Sequence, residues 1–134
     1  MKEIQGHGVA MITPFKENGS IDYGAIPSIV NHLIEGGVNY LVVLGTTAET
    51  ATLSREEKTS LVESIIAANS GRLPLVIGLG GNHTAALLEM FDWFDLSAFT
   101  AVLSVAPYYN KPNQEGLYQH FKIMANHSPL PVIL

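Results

Sequence analysis

Five short apolar runs, rich in β-branched residues, recur along the chain at 8–13, 39–44, 73–78, 100–105 and 131–134. None alternates cleanly between polar and apolar, which predicts strands buried on both faces, as in a parallel sheet. Segments with helical signals lie between them. Asp22 opens one that ends at Gly36 and Gly37, with Pro27 placed to delay its start. Ser54 and Glu57 form a capping box, followed by Leu61, Val62, Ile65 and Ile66 on one stripe, with Gly71 suited to a left-handed terminating residue. Asn82 or Thr84 caps a third helix reaching to about Leu96, with Leu87, Leu88, Phe91 and Phe94 inward. A fourth, over 113–127, carries Leu117, Phe121 and Met124 at helical spacing.

The order is therefore β-α-β-α-β-α-β-α-β. Runs that begin at 8, 39, 73, 100 and 131 are spaced 31, 34, 27 and 31 residues apart. Such alternation predicts an α/β fold with a parallel sheet and right-handed crossovers. Two architectures fit: a five-stranded doubly wound sheet, or the first half of a TIM (β/α)8 barrel with five parallel strands and four helices. Residues 131–134 read as a buried strand with no closing helix after it, which favours the barrel. The expectation is that 1–134 is the N-terminal portion of a single (β/α)8 barrel domain, incomplete at strand five.

Composition narrows the function. Of 134 residues, 47% are hydrophobic and 14% charged, which suits a packed core rather than disorder. The net charge of -5 and seven scattered Lys and Arg give no basic patch, so no nucleic-acid partner is expected. There is no cysteine, hence no disulfide, iron–sulfur cluster or thiolate zinc site. The first 15 residues do not read as a signal peptide, and no apolar run approaches the ~20 residues that span a bilayer. No membrane partner and a cytoplasmic location are the resulting expectations.

In parallel α/β folds ligands bind beyond the carboxyl ends of the strands, so the residues that follow each run are the candidates. Gly45-Thr46-Thr47 follows the second run; two hydroxyls with their amides can hold a carboxylate or phosphate. The competing reading is a turn whose hydroxyls bond their own backbone. Tyr108 and Tyr109 follow the fourth run; a phenol can relay a proton, or two rings can simply pack a loop or interface. The stretch from Gly78 to His83 fails the dinucleotide fingerprint, because His83 stands where a third glycine is needed. His7, His32, His83, His120 and His127 lack metal-ligand spacing and read as solvent-facing or hydrogen-bonded; no metal or cofactor is expected. Glu56, Glu57, Lys58 and Glu63 read as a solvated helix face. None of the five lysines lies in an apolar strand, where an amine nucleophile would be desolvated.

Three stretches carry a resemblance. Thr13-Pro14-Phe15, Gly45-Thr46-Thr47-Ala48-Glu49 and the run 107–121, from Pro107-Tyr108-Tyr109-Asn110-Lys111 to His120-Phe121, resemble the dihydrodipicolinate synthase family. The family's fold is shared with related pyruvate lyases such as N-acetylneuraminate lyase, but the paired threonines and the Tyr-Tyr-Asn run favour the synthase. The resemblance implies a barrel of about twice this length. It implies lyase-type condensation of pyruvate with the aldehyde L-aspartate-4-semialdehyde, through a lysine Schiff base, in lysine biosynthesis. It also implies a homo-oligomer, typically a tetramer. By motif, Thr46 and Thr47 would hold the pyruvate carboxylate, and Thr46 and Tyr109 would belong to a proton relay, Tyr109 reaching into a neighbouring subunit. Tyr108 and Asn82 would sit at an interface and regulatory site. The third relay tyrosine would directly follow Leu134 and the Schiff-base lysine would lie further on, so the 134 residues are expected to be inactive alone. Two residues depart from the family pattern. Ala48 stands where glycine is usual, and would be strained if its φ were positive. Ala86 stands where lysine-inhibited members carry glutamate, which puts lysine inhibition in doubt. Two other readings predict differently: a complete flavodoxin-like binding domain would be monomeric, and a half-barrel would associate with a second chain.

Overall fold

A computed structural model describes residues 4–134. Five strands, β1 (Gly8–Ala10), β2 (Tyr40–Val43), β3 (Leu75–Gly78), β4 (Ala101–Leu103) and β5 (Val132–Ile133), form one sheet. All neighbours are parallel, and the order is β1-β2-β3-β4-β5. A flavodoxin-like sheet places its first strand between the second and third. The strictly sequential order removes that alternative and is the order of a growing barrel. The strands are shorter than their apolar runs, because the ends of each run leave the ladder to build loops.

Four helices cross between the strands: α1 (Ile26–Glu35), α2 (Arg55–Asn69), α3 (Thr84–Glu89) and α4 (Gln114–His127). Two apolar layers result. Leu41, Val43, Leu75, Ile77 and Val102 face the helices and pack with Ile26, Val30, Leu61, Ile65, Leu87 and Met124. Val42, Val76 and Ala101 form a second cluster on the opposite face, joined by Ile4, Tyr40 and Leu103. Both sides of the sheet are therefore apolar, which is why the strand sequences do not alternate.

The helix ends follow local chemistry. The amide of Glu57 donates to Ser54 Oγ at 3.1 Å, and the Ser54 amide donates to Glu57 Oε2 at 2.8 Å. Ser70 and Gly71 both take left-handed φ at the end of α2, +47° and +69°. Asp22 caps a 3₁₀ turn at Tyr23–Ala25, and α1 starts only at Ile26, with Pro27 in its first turn.

The third helix departs from expectation. Its cap is neither Asn82 nor Thr84 but His83, whose Nδ1 accepts from the Ala86 amide at 3.0 Å. It ends at Glu89 and continues as a 3₁₀ turn, Met90–Trp93, rather than as α-helix to Leu96. Leu87 and Phe91 are buried and Phe94 packs on the core as expected, but Met90 takes the place foreseen for Leu88. Trp93 lies under the Arg55 guanidinium, 5.0 Å from the ring centroid, tying this turn to the start of α2.

Candidate functional site

The loops at the carboxyl ends of the strands bring most of the candidate residues to one face. Leu44 leaves β2 with φ +56°, although it is a buried, branched residue. That conformation costs roughly 1–2 kcal/mol. It turns the chain sharply into Gly45, after which Thr46–Ala48 form a 3₁₀ turn. The Thr46 and Thr47 side chains are exposed, and among the described residues their hydroxyls bond nothing in the chain. The reading of a turn closed on its own hydroxyls fits Thr52 instead, whose Oγ1 donates to the Glu49 carbonyl at 2.8 Å. The paired threonines thus present two hydroxyls, beside the first amides of a helical turn, to whatever occupies the sheet's carboxyl face.

The turn is anchored from below. Thr13, buried just after β1, donates its hydroxyl to the Ala48 carbonyl at 2.7 Å. Ala48 itself is buried and lies in the 3₁₀ turn without a positive φ, so the condition for strain is not met and the change from glycine is mild. The left-handed residue is the next one, Glu49, at φ +56°.

A second group forms around the loops after β3 and β4. Tyr108 is half exposed, and Tyr109 is 90% exposed with φ +70°. Among the described residues neither ring stacks on another, and no hydrogen bond joins Tyr109 to Thr46. Tyr109 is held out from the chain rather than packed into it. Asn110 Nδ2 donates to the Asn82 carbonyl at 3.1 Å, fastening the tyrosine loop to the entrance of α3. Ala86, which offers no carboxylate, lies exposed in the first turn of α3.

Two buried polar groups were not apparent as candidates from sequence. Ser104, after β4, is 2% exposed and its Oγ has no partner. His120 was expected to face solvent or to be fully hydrogen-bonded and does neither. It is 3% exposed on α4, shares a 2.8 Å hydrogen bond between Nδ1 and Thr84 Oγ1, and has no partner at Nε2. Burial lowers its pKa below the ordinary histidine value. Periodicity marked Leu117, Phe121 and Met124 on this helix and passed over position 120; its burial follows from the docking of α4 on α3. Lys58 also departs from expectation: it is half-buried, and desolvation lowers its pKa. It lies on α2, and none of the four described lysines, Lys16, Lys58, Lys111 and Lys122, lies on a strand. Among the described residues no group of three or more His, Cys, Asp or Glu could hold a metal ion. No helix among them is long and apolar enough to cross a membrane.

A sequential parallel α/β sheet, with a hydroxyl-bearing turn on its carboxyl face, defines part of a (β/α)8 barrel of the enzyme type. Residues 3–134 match the dihydrodipicolinate synthetase family, and the chain belongs to it. It is 59% identical over 134 residues to a 4-hydroxy-tetrahydrodipicolinate synthase of Flavobacterium psychrophilum, covering 100% of this chain and 46% of that protein. Among solved structures, it resembles a dihydrodipicolinate synthase of Acinetobacter baumannii complexed with pyruvate, with 42% identity and a TM-score of 0.91. A dihydrodipicolinate synthase of Bacillus anthracis gives 43% identity and a TM-score of 0.90. Each alignment covers 98% of this chain and 45% of the solved one, so the chain spans just under half the length of its relatives.

Proposed function

We propose that this chain supplies the carboxylate-gripping part of a synthase that condenses pyruvate with L-aspartate-4-semialdehyde in lysine biosynthesis, as the N-terminal portion of one (β/α)8 barrel domain. The observation that carries the reading is the Thr46–Thr47 turn: two exposed hydroxyls with no partner among the described residues, on the carboxyl face of a sheet whose family is that of the synthases. The pyruvate carboxylate accepts hydrogen bonds from these hydroxyls and the turn's amides. An amine attacks the ketone carbon and water leaves. The resulting iminium acidifies the adjacent methyl group, whose carbanion attacks the aldehyde. Thr46 and Tyr109 serve the proton transfers. The left-handed backbone and 90% exposure of Tyr109 support its insertion into a second subunit of a homo-oligomer. The amine belongs to a lysine outside these residues, because none of the four described lysines lies on a strand.

The test joins residues 1–134 to the remaining part of the Flavobacterium psychrophilum synthase. The joined protein, treated with pyruvate and borohydride, gains one reduced adduct by intact mass and condenses the two substrates. Thr46→Val lowers its kcat/KM by about 10²-fold. The 134-residue chain alone, at 14.5 kDa, gains no adduct. A folded joined protein without adduct or activity, or an adduct on the short chain, overturns the reading.

A further inference from the structure

The backbone that leads into the threonine turn passes against a residue of β3 that carries no side chain at all. Gly78 ends β3 beside the point where the chain leaves β2. A Cβ built on Gly78 would overlap the Leu44 carbonyl oxygen, and would lie 2.6 Å from its carbonyl carbon and 2.9 Å from the Gly45 nitrogen. These are backbone atoms of a buried segment, so no flexible side chain can move aside. Gly78 has no positive φ of its own, so its backbone would admit any residue; only the space forbids one. The crowded peptide is the one that Leu44, at φ +56°, sends toward the threonines. By contrast, a Cβ on Gly45, the glycine that adjoins Thr46, would meet only Val42 Cγ1 at 3.6 Å, an ordinary contact.

We propose that Gly78 is a positioning residue of the carboxylate-binding turn: by leaving room for the left-handed Leu44–Gly45 peptide, it lets Thr46 and Thr47 point together at the ligand. Thr13 completes the arrangement by holding the Ala48 carbonyl at the turn's other end. Three strand ends thus converge on residues 44–48, two of them through contacts that involve neither Thr46 nor Thr47. This assignment rests on the pyruvate reading for its ligand, but not for its geometry.

Hydrogen exchange of the joined protein described above, read by mass spectrometry with pyruvate as the probe, separates the two. In Gly78→Ala, amides 44–49 exchange about tenfold faster while peptides from α2 and α4 keep wild-type rates. Thr13→Val speeds the same amides, and Gly81→Ala, whose Cβ would meet nothing within 4 Å, changes none. Pyruvate slows exchange of 44–49 in the parent chain and not in Gly78→Ala. Parent-like exchange of 44–49 in Gly78→Ala overturns the assignment, as does equal acceleration throughout the chain. If Gly78→Ala does not fold, Thr13→Val decides by the same criterion. A parent chain that pyruvate leaves unprotected counts against the pyruvate reading, while the comparison of variants still decides the positioning role.

Discussion

His120 and Leu44 each hold an unfavourable state that the packing around them enforces. His120 keeps a ring nitrogen without a partner in the core, and a proton added to it would bury a positive charge. Its folded pKa is therefore lowered, while in the unfolded chain it titrates near the ordinary 6.5. As pH falls below that value the unfolded state takes up the proton first, so folding stability falls with pH. We expect the urea midpoint to drop between pH 7 and pH 5, and His120→Gln to flatten that slope. An unchanged slope in the variant would assign the pH dependence to other groups. At this scale the sequence was only partly informative. Thr46, Thr47 and Tyr109 stood out because they follow apolar runs, at the strand ends where α/β folds bind ligands. Gly78 and His120 did not, since crowding by a distant backbone and burial by a neighbouring helix leave no local pattern.

Among the elements, α2 shows how far local rules reach. Its capping box closes in both directions and its apolar stripe is buried, with Leu61, Val62 and Ile65 at most 2% exposed. Ser54→Ala removes the side-chain acceptor for the Glu57 amide and should cost about 1 kcal/mol, measured by urea unfolding. A loss near zero would mean that Glu57 alone, or water, satisfies this helix start. The segment after β3 shows where such rules stop. Asn82 and Thr84 are the better caps by residue type, yet His83 holds the position. The winner is set by where the loop must go: the Asn82 carbonyl is engaged by Asn110 and the Thr84 hydroxyl by His120, which leaves His83 at the helix start. Helical geometry then gives way at Met90, where Phe91 and Phe94 reach the core through a tighter turn.

For the whole molecule, the open sheet is the governing feature. Among the described residues β1 pairs only with β2, and β5 only with β4. Ile12 is 53% exposed and Leu134 74% exposed, and an apolar groove of about 420 Å³ runs between β1 and α1, along Val9, Met11, Ile29 and Leu33. Unpaired apolar strand edges recruit further strands. The isolated chain should therefore scatter light with a mass above 14.5 kDa that rises with concentration, and Ile12→Glu should lower it. A concentration-independent 14.5 kDa species would show that the edges are tolerated.

By itself the sequence determined the alternation of strands and helices and the parallel sheet, and it pointed to the strand ends as candidate ligand sites. These follow from periodicities of a few residues and from side-chain chemistry that acts on its neighbours. The three short motifs also carried the family. Only the tertiary structure decided the sequential strand order, which the pairing of segments some thirty residues apart must fix. It alone showed that the threonine hydroxyls stay open, that Ala48 escapes the strain, and that Leu44 and Gly78 share one crowded contact. Each of those depends on which backbone atoms from separate strands meet, and excluded volume between distant segments is written only in three dimensions.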